Sequence, residues 1–180
     1  MFQPGDLIVY GSSGVGKVEA VEERDMGAGQ KDRLYYTLSP VYSMETIYTP
    51  VDTTVFMRPV ITREQAEELV EQIPLIQEDV CQERNLSLLS AHYQSAIQSH
   101  DCKDLIQLVK SVYTKNQHAV QKGKKLGQVD QRYWKRAEDL LQGELAVALD
   151  IPREDIADYI EEKMAAARKD AGEDTGKAAI

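Results

Sequence analysis

The sequence is poor in cysteine and histidine, and each shortage excludes something. Two cysteines, Cys81 and Cys102, are too few for a disulfide framework. The start, Met1-Phe-Gln-Pro-Gly-Asp6, has neither a basic n-region nor an apolar h-region, so no secretory signal is expected. A reducing cytoplasm with free thiols is the expected setting. No apolar run approaches the roughly 18 residues that a membrane span requires. The histidines are three, and Cys81, His100 and Cys102 lack paired C-x-x-C spacing, so no metal site, no cofactor and no catalytic constellation is expected. Positive charge is also short: 21 Lys and Arg against 30 Asp and Glu leave a net charge of −9. That balance excludes a uniformly basic nucleic-acid binder, because phosphate binding needs clustered cations.

The charge is nevertheless uneven along the 180 residues. Residues 1–60 carry −3, 61–101 carry −6, 102–136 carry +7 and 137–180 carry −7. The chain also changes character near residue 60. Residues 1–60 hold five of the nine tyrosines, both phenylalanines and four of the six prolines. Short β-prone runs occur at Leu7–Tyr10, from Gly14, at Leu34–Leu38, at Glu45–Thr49 and through Val55–Arg58, with a turn-rich connection at Met26–Asp32. Short strands at this density predict a small antiparallel barrel, since parallel strands need long crossovers.

From residue 62 the apolar period becomes helical. Thr62-Arg-Glu-Gln65 fits a capping box ahead of Ala66, Leu69, Val70 and Ile73, and Pro74 closes that helix. A second helix is expected from about Asp79 to Ser99. Asp101 caps a third with a stripe of Leu105, Leu108, Val109 and Val112. After a loop marked by Gly123 and Gly127, a fourth carries Tyr133, Ala137, Leu140, Leu141 and Leu145, and a fifth follows Pro152. The expected fold class is therefore α+β multidomain. A small SH3-like antiparallel β-barrel spans 1–60, an all-α bundle 61–170, and a disordered tail 171–180.

Gly11-Ser-Ser-Gly-Val-Gly-Lys17 fits the phosphate-binding pattern G-x-x-x-x-G-K. A small nucleotide-binding enzyme is the function that pattern suggests. Val18 stands where the pattern needs a magnesium-binding hydroxyl, and no series of alternating strands and helices follows to build a parallel sheet. A hairpin turn using glycine at positive φ fits these residues better.

Met1-Phe-Gln-Pro-Gly-Asp-Leu-Ile-Val-Tyr10 followed by Gly14-Val-Gly-Lys-Val-Glu-Ala-Val-Glu-Glu23 resembles the start of the CarD family of bacterial transcription regulators. The same module occurs in the transcription-repair coupling factor. Lys124-Lys-Leu126, Arg132 and Ala137–Ala146 resemble the family's C-terminal helical signature, so the resemblance spans about residues 1–165 in order. It implies a non-enzymatic regulator whose Tudor-like barrel binds the RNA polymerase β subunit through an exposed strand. Its helices would touch promoter DNA, where the family's tryptophan wedges into the minor groove of the open complex.

Carried over residue by residue, the resemblance places Arg24 against polymerase. The alternative is a solvated charge beside Glu22 and Glu23. Thr46, Ile47, Tyr48 and Pro50 match the polymerase-facing strand, with Tyr48 where the family often has a basic residue. The alternative for Tyr48 is an edge tyrosine that covers the barrel. The wedge position falls on Leu86; Leu86, Leu88 and Leu89 also fit a core-facing helix stripe. Lys124, Lys125, Arg132, Lys135 and Arg136 form the basic patch for DNA phosphates, or a solvated face. Trp134 either joins that patch or packs in the bundle. The expected partners are polymerase first and promoter DNA weakly, for a monomeric protein. A polymerase- or protein-binding module without DNA contact is the alternative.

Overall fold

The computed structural model describes residues 1–25 and 33–170. The connection expected at Met26–Asp32 and the tail expected at 171–180 lie outside the described residues. The chain separates into two compact units, Met1–Val60 and Ile61–Ile180.

The first unit is one antiparallel sheet of β1 (Leu7–Tyr10), β2 (Gly14–Arg24), β3 (Arg33–Pro40), β4 (Ile47–Pro50) and β5 (Met57–Pro59), in the order β4-β3-β2-β1-β5. The sheet is not closed, and β4 and β5 are its two edges. Its core is Ile8, Val18, Tyr36 and Leu38, against which Phe2, Tyr10, Val21, Ile47, Val51 and Met57 pack.

One irregularity makes that core possible. Val18 and Val21 are three residues apart and would face opposite sides of an unbroken strand. The register runs Val18 opposite Leu38, then Ala20 opposite Thr37, which leaves Glu19 as an extra, exposed residue. Past this bulge the alternation is reset, and Val21, opposite Tyr36, joins Val18 on the core side.

The second unit contains α1 (Arg63–Gln72), α2 (Leu86–Gln98), α3 (Cys102–Gln121), α4 (Gln128–Leu149) and α5 (Ile156–Asp170). Leu89, Tyr93 and Ile97 on α2, Ala137, Leu141, Leu145 and Leu149 on α4, and Ile156, Ile160 and Met164 on α5 recur every fourth residue and are buried in one core. The expected capping box is present: Thr62 Oγ1 accepts from Gln65 N at 3.2 Å, and Gln65 Oε1 accepts from Thr62 N at 2.9 Å. Asp101 caps α3, accepting from Lys103 N at 2.7 Å. At the far end of α4, Arg63 Nη2 donates to Leu149 O at 2.5 Å, satisfying one of the carbonyls a helix end leaves open. No helix among the described residues is long and apolar enough to cross a membrane.

The second helix departs from expectation. It starts at Leu86 rather than near Asp79, and residues 73–79 before it are tied to α3 by side-chain hydrogen bonds. Gln107, Lys110 and Ser111 share one face of α3 by i, i+3, i+4 spacing. Lys110 Nζ donates to Ile73 O at 3.1 Å and Ile76 O at 2.5 Å, Gln107 Nε2 to Gln77 O at 3.0 Å, and Ser111 Oγ accepts from Asp79 N at 2.8 Å. The helix begins only where Asn85 Oδ1 accepts from Ser87 N and Leu88 N, at 2.9 and 3.3 Å.

Two buried carboxylates lie inside the helical core, about 21 Å apart along α4. Asp130 and Glu144 are buried at 5% and 3% exposure. Tyr93 donates its hydroxyl to Asp130 Oδ1 at 2.6 Å, and Lys115 Nζ lies 2.8 Å from the same oxygen. Burial, and then the Asp130 carboxylate, push the Tyr93 phenol far above its ordinary range. Glu144 accepts from Ile61 N at 3.2 Å and from the Cys102 thiol at 3.3 Å.

Candidate functional site

In the sheet unit, the residues expected to meet a partner fall into two groups. Arg24 ends β2 and Tyr48 lies on β4, and the guanidinium sits 4.1 Å from the centre of the Tyr48 ring. The separation is short enough for a cation–π contact. Glu22 also holds the guanidinium, with Arg24 Nε donating to Glu22 Oε1 at 2.8 Å. That hydrogen bond raises the Arg24 pKa and keeps its charge.

Thr46, Ile47 and Pro50 are placed differently. Thr46 precedes β4, Ile47 packs against the sheet core, and Pro50 is the register partner of Tyr35. Strand β4 pairs only with β3, from Leu38 opposite Ile47 to Tyr35 opposite Pro50. Its other edge forms no ladder among the described residues, which is the geometry strand addition needs.

Sequence reasoning missed the neighbouring ion pair. Arg24 and Arg33 are direct cross-strand partners, an arrangement that like charges disfavour. Each guanidinium has its own carboxylate: Arg33 Nη2 lies 2.7 Å from Asp52 Oδ1, as Arg24 lies against Glu22. The Arg33 contact holds the Asp52 carboxyl below its ordinary value.

The glycine-rich stretch is not a phosphate loop. Gly11–Ser13 form a single 3-10 turn, and Gly14–Lys17 already lie in β2. Gly11 at φ 47° and Gly14 at φ 88° supply the turn. Lys17 is opposite Leu7 and Ser39, with Nζ 3.3 Å from Glu19 Oε2. No helix N-terminus follows it.

In the helical unit, Leu86 opens α2 and is 64% exposed; Leu88 is 57% exposed, and only Leu89 enters the core. The core-face alternative thus holds for Leu89 alone. Lys124 and Lys125 are exposed in the connection between α3 and α4. Arg132, Lys135 and Arg136 are exposed along the first half of α4. Arg132 lies 5.1 Å from the Tyr133 ring centre, and Tyr133 donates its hydroxyl to Gln94 Oε1 on α2 at 3.2 Å. Arg132, Lys135 and Arg136 border an open cleft of about 690 Å³ with Gln94 and Tyr133.

Trp134 turns inward from this row. It packs against the helical core and meets Tyr113 edge-on, with ring centres 6.3 Å apart. Cys81 is half-buried and Cys102 buried, and neither forms a disulfide. Among the described residues no three His, Cys, Asp or Glu side chains are placed to hold a metal.

No curated protein matches the chain. The model of the CarD-like/TRCF RID domain matches residues 2–61, which is the open sheet unit with its Arg24–Tyr48 pair and free β4 edge. Residues 2–61 are therefore a CarD-like RNA polymerase-interacting domain, a protein-interaction module.

Proposed function

We propose that the protein is a cytoplasmic bacterial transcription regulator. It binds the β subunit of RNA polymerase through the sheet unit and alters promoter open-complex stability through the helical unit, performing no chemistry itself. The observation that carries this reading is the match of residues 2–61 to a polymerase-interacting domain on a sheet whose β4 edge forms no ladder on its outer side among the described residues. Main-chain hydrogen bonds to β4 supply affinity, and Arg24, preset on Tyr48, supplies side-chain specificity. Thr46, Ile47 and Pro50 set the course of that strand.

On the helical side, residues 61–170 are the DNA-contacting part. Leu86, exposed at the first turn of α2, is an apolar group of the kind that wedges a base step. Arg132, Lys135 and Arg136, with Lys124 and Lys125, hold phosphates without reading sequence. With a net charge of −9, free DNA is bound weakly. Tethering to polymerase supplies the effective concentration that makes such contacts count. The protein acts as a monomer.

The test is retention on polymerase together with open-complex lifetime. Arg24→Glu or Tyr48→Ala weakens polymerase binding by about tenfold or more, the loss expected for a central Arg or Tyr contact. Arg132→Glu/Arg136→Glu and Leu86→Ala each change open-complex lifetime without changing polymerase retention. Unchanged retention in the sheet variants refutes the polymerase face. Unchanged lifetime in the helical variants leaves a polymerase-binding module that makes no DNA contact.

A further inference from the structure

A second cleft lies on the other side of the α4 basic row, between α3 and α4 under their connection, with a volume of about 520 Å³. That size suits a small organic ligand. Its wall combines three chemistries. Val120, Leu126 and the Trp134 indole are apolar, and Val120 is 61% exposed although it is an aliphatic side chain on a well-packed helix. Lys124 and Lys125 stand at the mouth, both exposed, and neither forms an ion pair among the described residues. By contrast Lys135, on the same rim, lies 3.8 Å from Asp139. Glu138 completes the wall one turn beyond Trp134.

The indole is the informative group. Trp134 Nε1 is buried and has no hydrogen-bond partner among the described residues. A buried donor without an acceptor costs about 1–3 kcal/mol, so native structures seldom leave one. Burial pushes the Glu138 carboxyl up, and the neighbouring indole N–H opposes that shift. Trp134 and Glu138 thus set a donor beside an acceptor, on an apolar wall, below two exposed ammonium groups.

We infer that this cleft binds a nucleoside phosphate, with the base against Trp134 and Val120, its edge toward Trp134 Nε1 and Glu138, and the phosphate on Lys124 and Lys125. Every nucleobase carries a donor next to an acceptor on one edge, which matches the donor–acceptor pair in the wall. Its flat apolar faces suit the indole and valine. The phosphate answers the lysines, which act as point charges and need no fixed geometry. Adventitious binding at Lys17 has no such wall, since that lysine extends from a strand toward Glu19. The inference goes beyond the polymerase reading and does not depend on it.

The same chemistry is offered by a free nucleotide or by an unpaired nucleotide of a DNA strand. Trp134 is the only tryptophan in the chain, so its emission reports this cleft alone. The full chain is excited at 295 nm and titrated with AMP, adenosine, tripolyphosphate and an eight-residue deoxyadenosine strand, for wild type, Lys124→Ala/Lys125→Ala and Lys17→Ala.

AMP or the strand should change the emission saturably. The double lysine variant should weaken that binding at least about tenfold, the range for charged hydrogen bonds, and Lys17→Ala should leave it unchanged. Binding of AMP at least as tight as the strand's identifies a free nucleotide; a strand bound tenfold more tightly than AMP identifies an unpaired strand nucleotide. No saturable change with either ligand overturns the inference. So does an equal response to tripolyphosphate and AMP, which would mean charge attraction alone. Circular dichroism of the variants confirms that they remain folded.

Discussion

Replacing Asp130 by alanine is the sharpest test of how the helical unit is held. The Asp130 carboxylate is 5% exposed and serves two partners, the Tyr93 hydroxyl at 2.6 Å and the Lys115 ammonium at 2.8 Å. Tyr93 is itself 2% exposed, so its hydroxyl has no water to turn to once the carboxylate is gone. Removing one partner of a buried ionic contact costs about 3–5 kcal/mol, because the other is left uncompensated. The lower end applies here: the Lys115 side chain is 20% exposed and can recover some hydration. About 3 kcal/mol in a helical unit of this size lowers Tm by about 12 °C.

Tyr93→Phe leaves Asp130 paired with Lys115 and loses one hydrogen bond to a charged group, about 1.5–3 kcal/mol. The double variant removes both ends of that bond and leaves no orphan hydroxyl. It should therefore be less destabilised than the sum of the two single changes, by about 1–2 kcal/mol. Thermal unfolding of the full chain, followed by circular dichroism at 222 nm, measures all three. Strict additivity, or an Asp130→Ala variant within about 1 kcal/mol of wild type, refutes the view that this carboxylate organises the core.

Two further outcomes follow from the same structure. Because the folded state raises the Tyr93 pKa, the phenol's contribution is fully present below its unfolded value near pH 10 and is lost as pH rises above it. Urea midpoints taken at pH 9 and pH 11 should thus fall more steeply for wild type than for Tyr93→Phe; parallel slopes would count against this. Deleting Glu19 removes the bulge and puts either Val18 or Val21 on the wrong face of β2. The deletion variant should lose the near-ultraviolet tyrosine signal and the protease resistance of residues 1–60, and a variant that keeps both would disprove the register.

Features set by neighbours in the chain were legible in the sequence. The Thr62–Gln65 box, the Asp101 cap and the apolar stripe of α3 each need only residues three or four apart, and each is where the spacing puts it. The same holds for the hairpin at Gly11–Lys17, where glycines at positive φ settle the turn. What was not legible depends on residues distant in sequence. Before α2, residues 73–79 are tied to three α3 side chains. The Glu19 bulge appears only once the pairing with β3 is known. Among the candidate residues, Arg24 and Tyr48 were named separately, but their contact depends on strand order. Leu86 and Leu88 are exposed because Asn85 sets where the helix begins, and with it the phase in which only Leu89 turns inward.

The hold of Glu22 and Tyr48 on Arg24 has a consequence for how that face responds to its surroundings. A free surface arginine samples many rotamers and attracts from a distance, so what it gains depends on ionic strength. Here the guanidinium is already confined by a carboxylate and a ring. Much of its side-chain entropy is lost before any encounter. Its long-range field is largely cancelled by Glu22, and what remains is a planar donor group at a set position. Discrimination on this face thus belongs to close fit and slow departure rather than to fast approach, and it should vary little with salt.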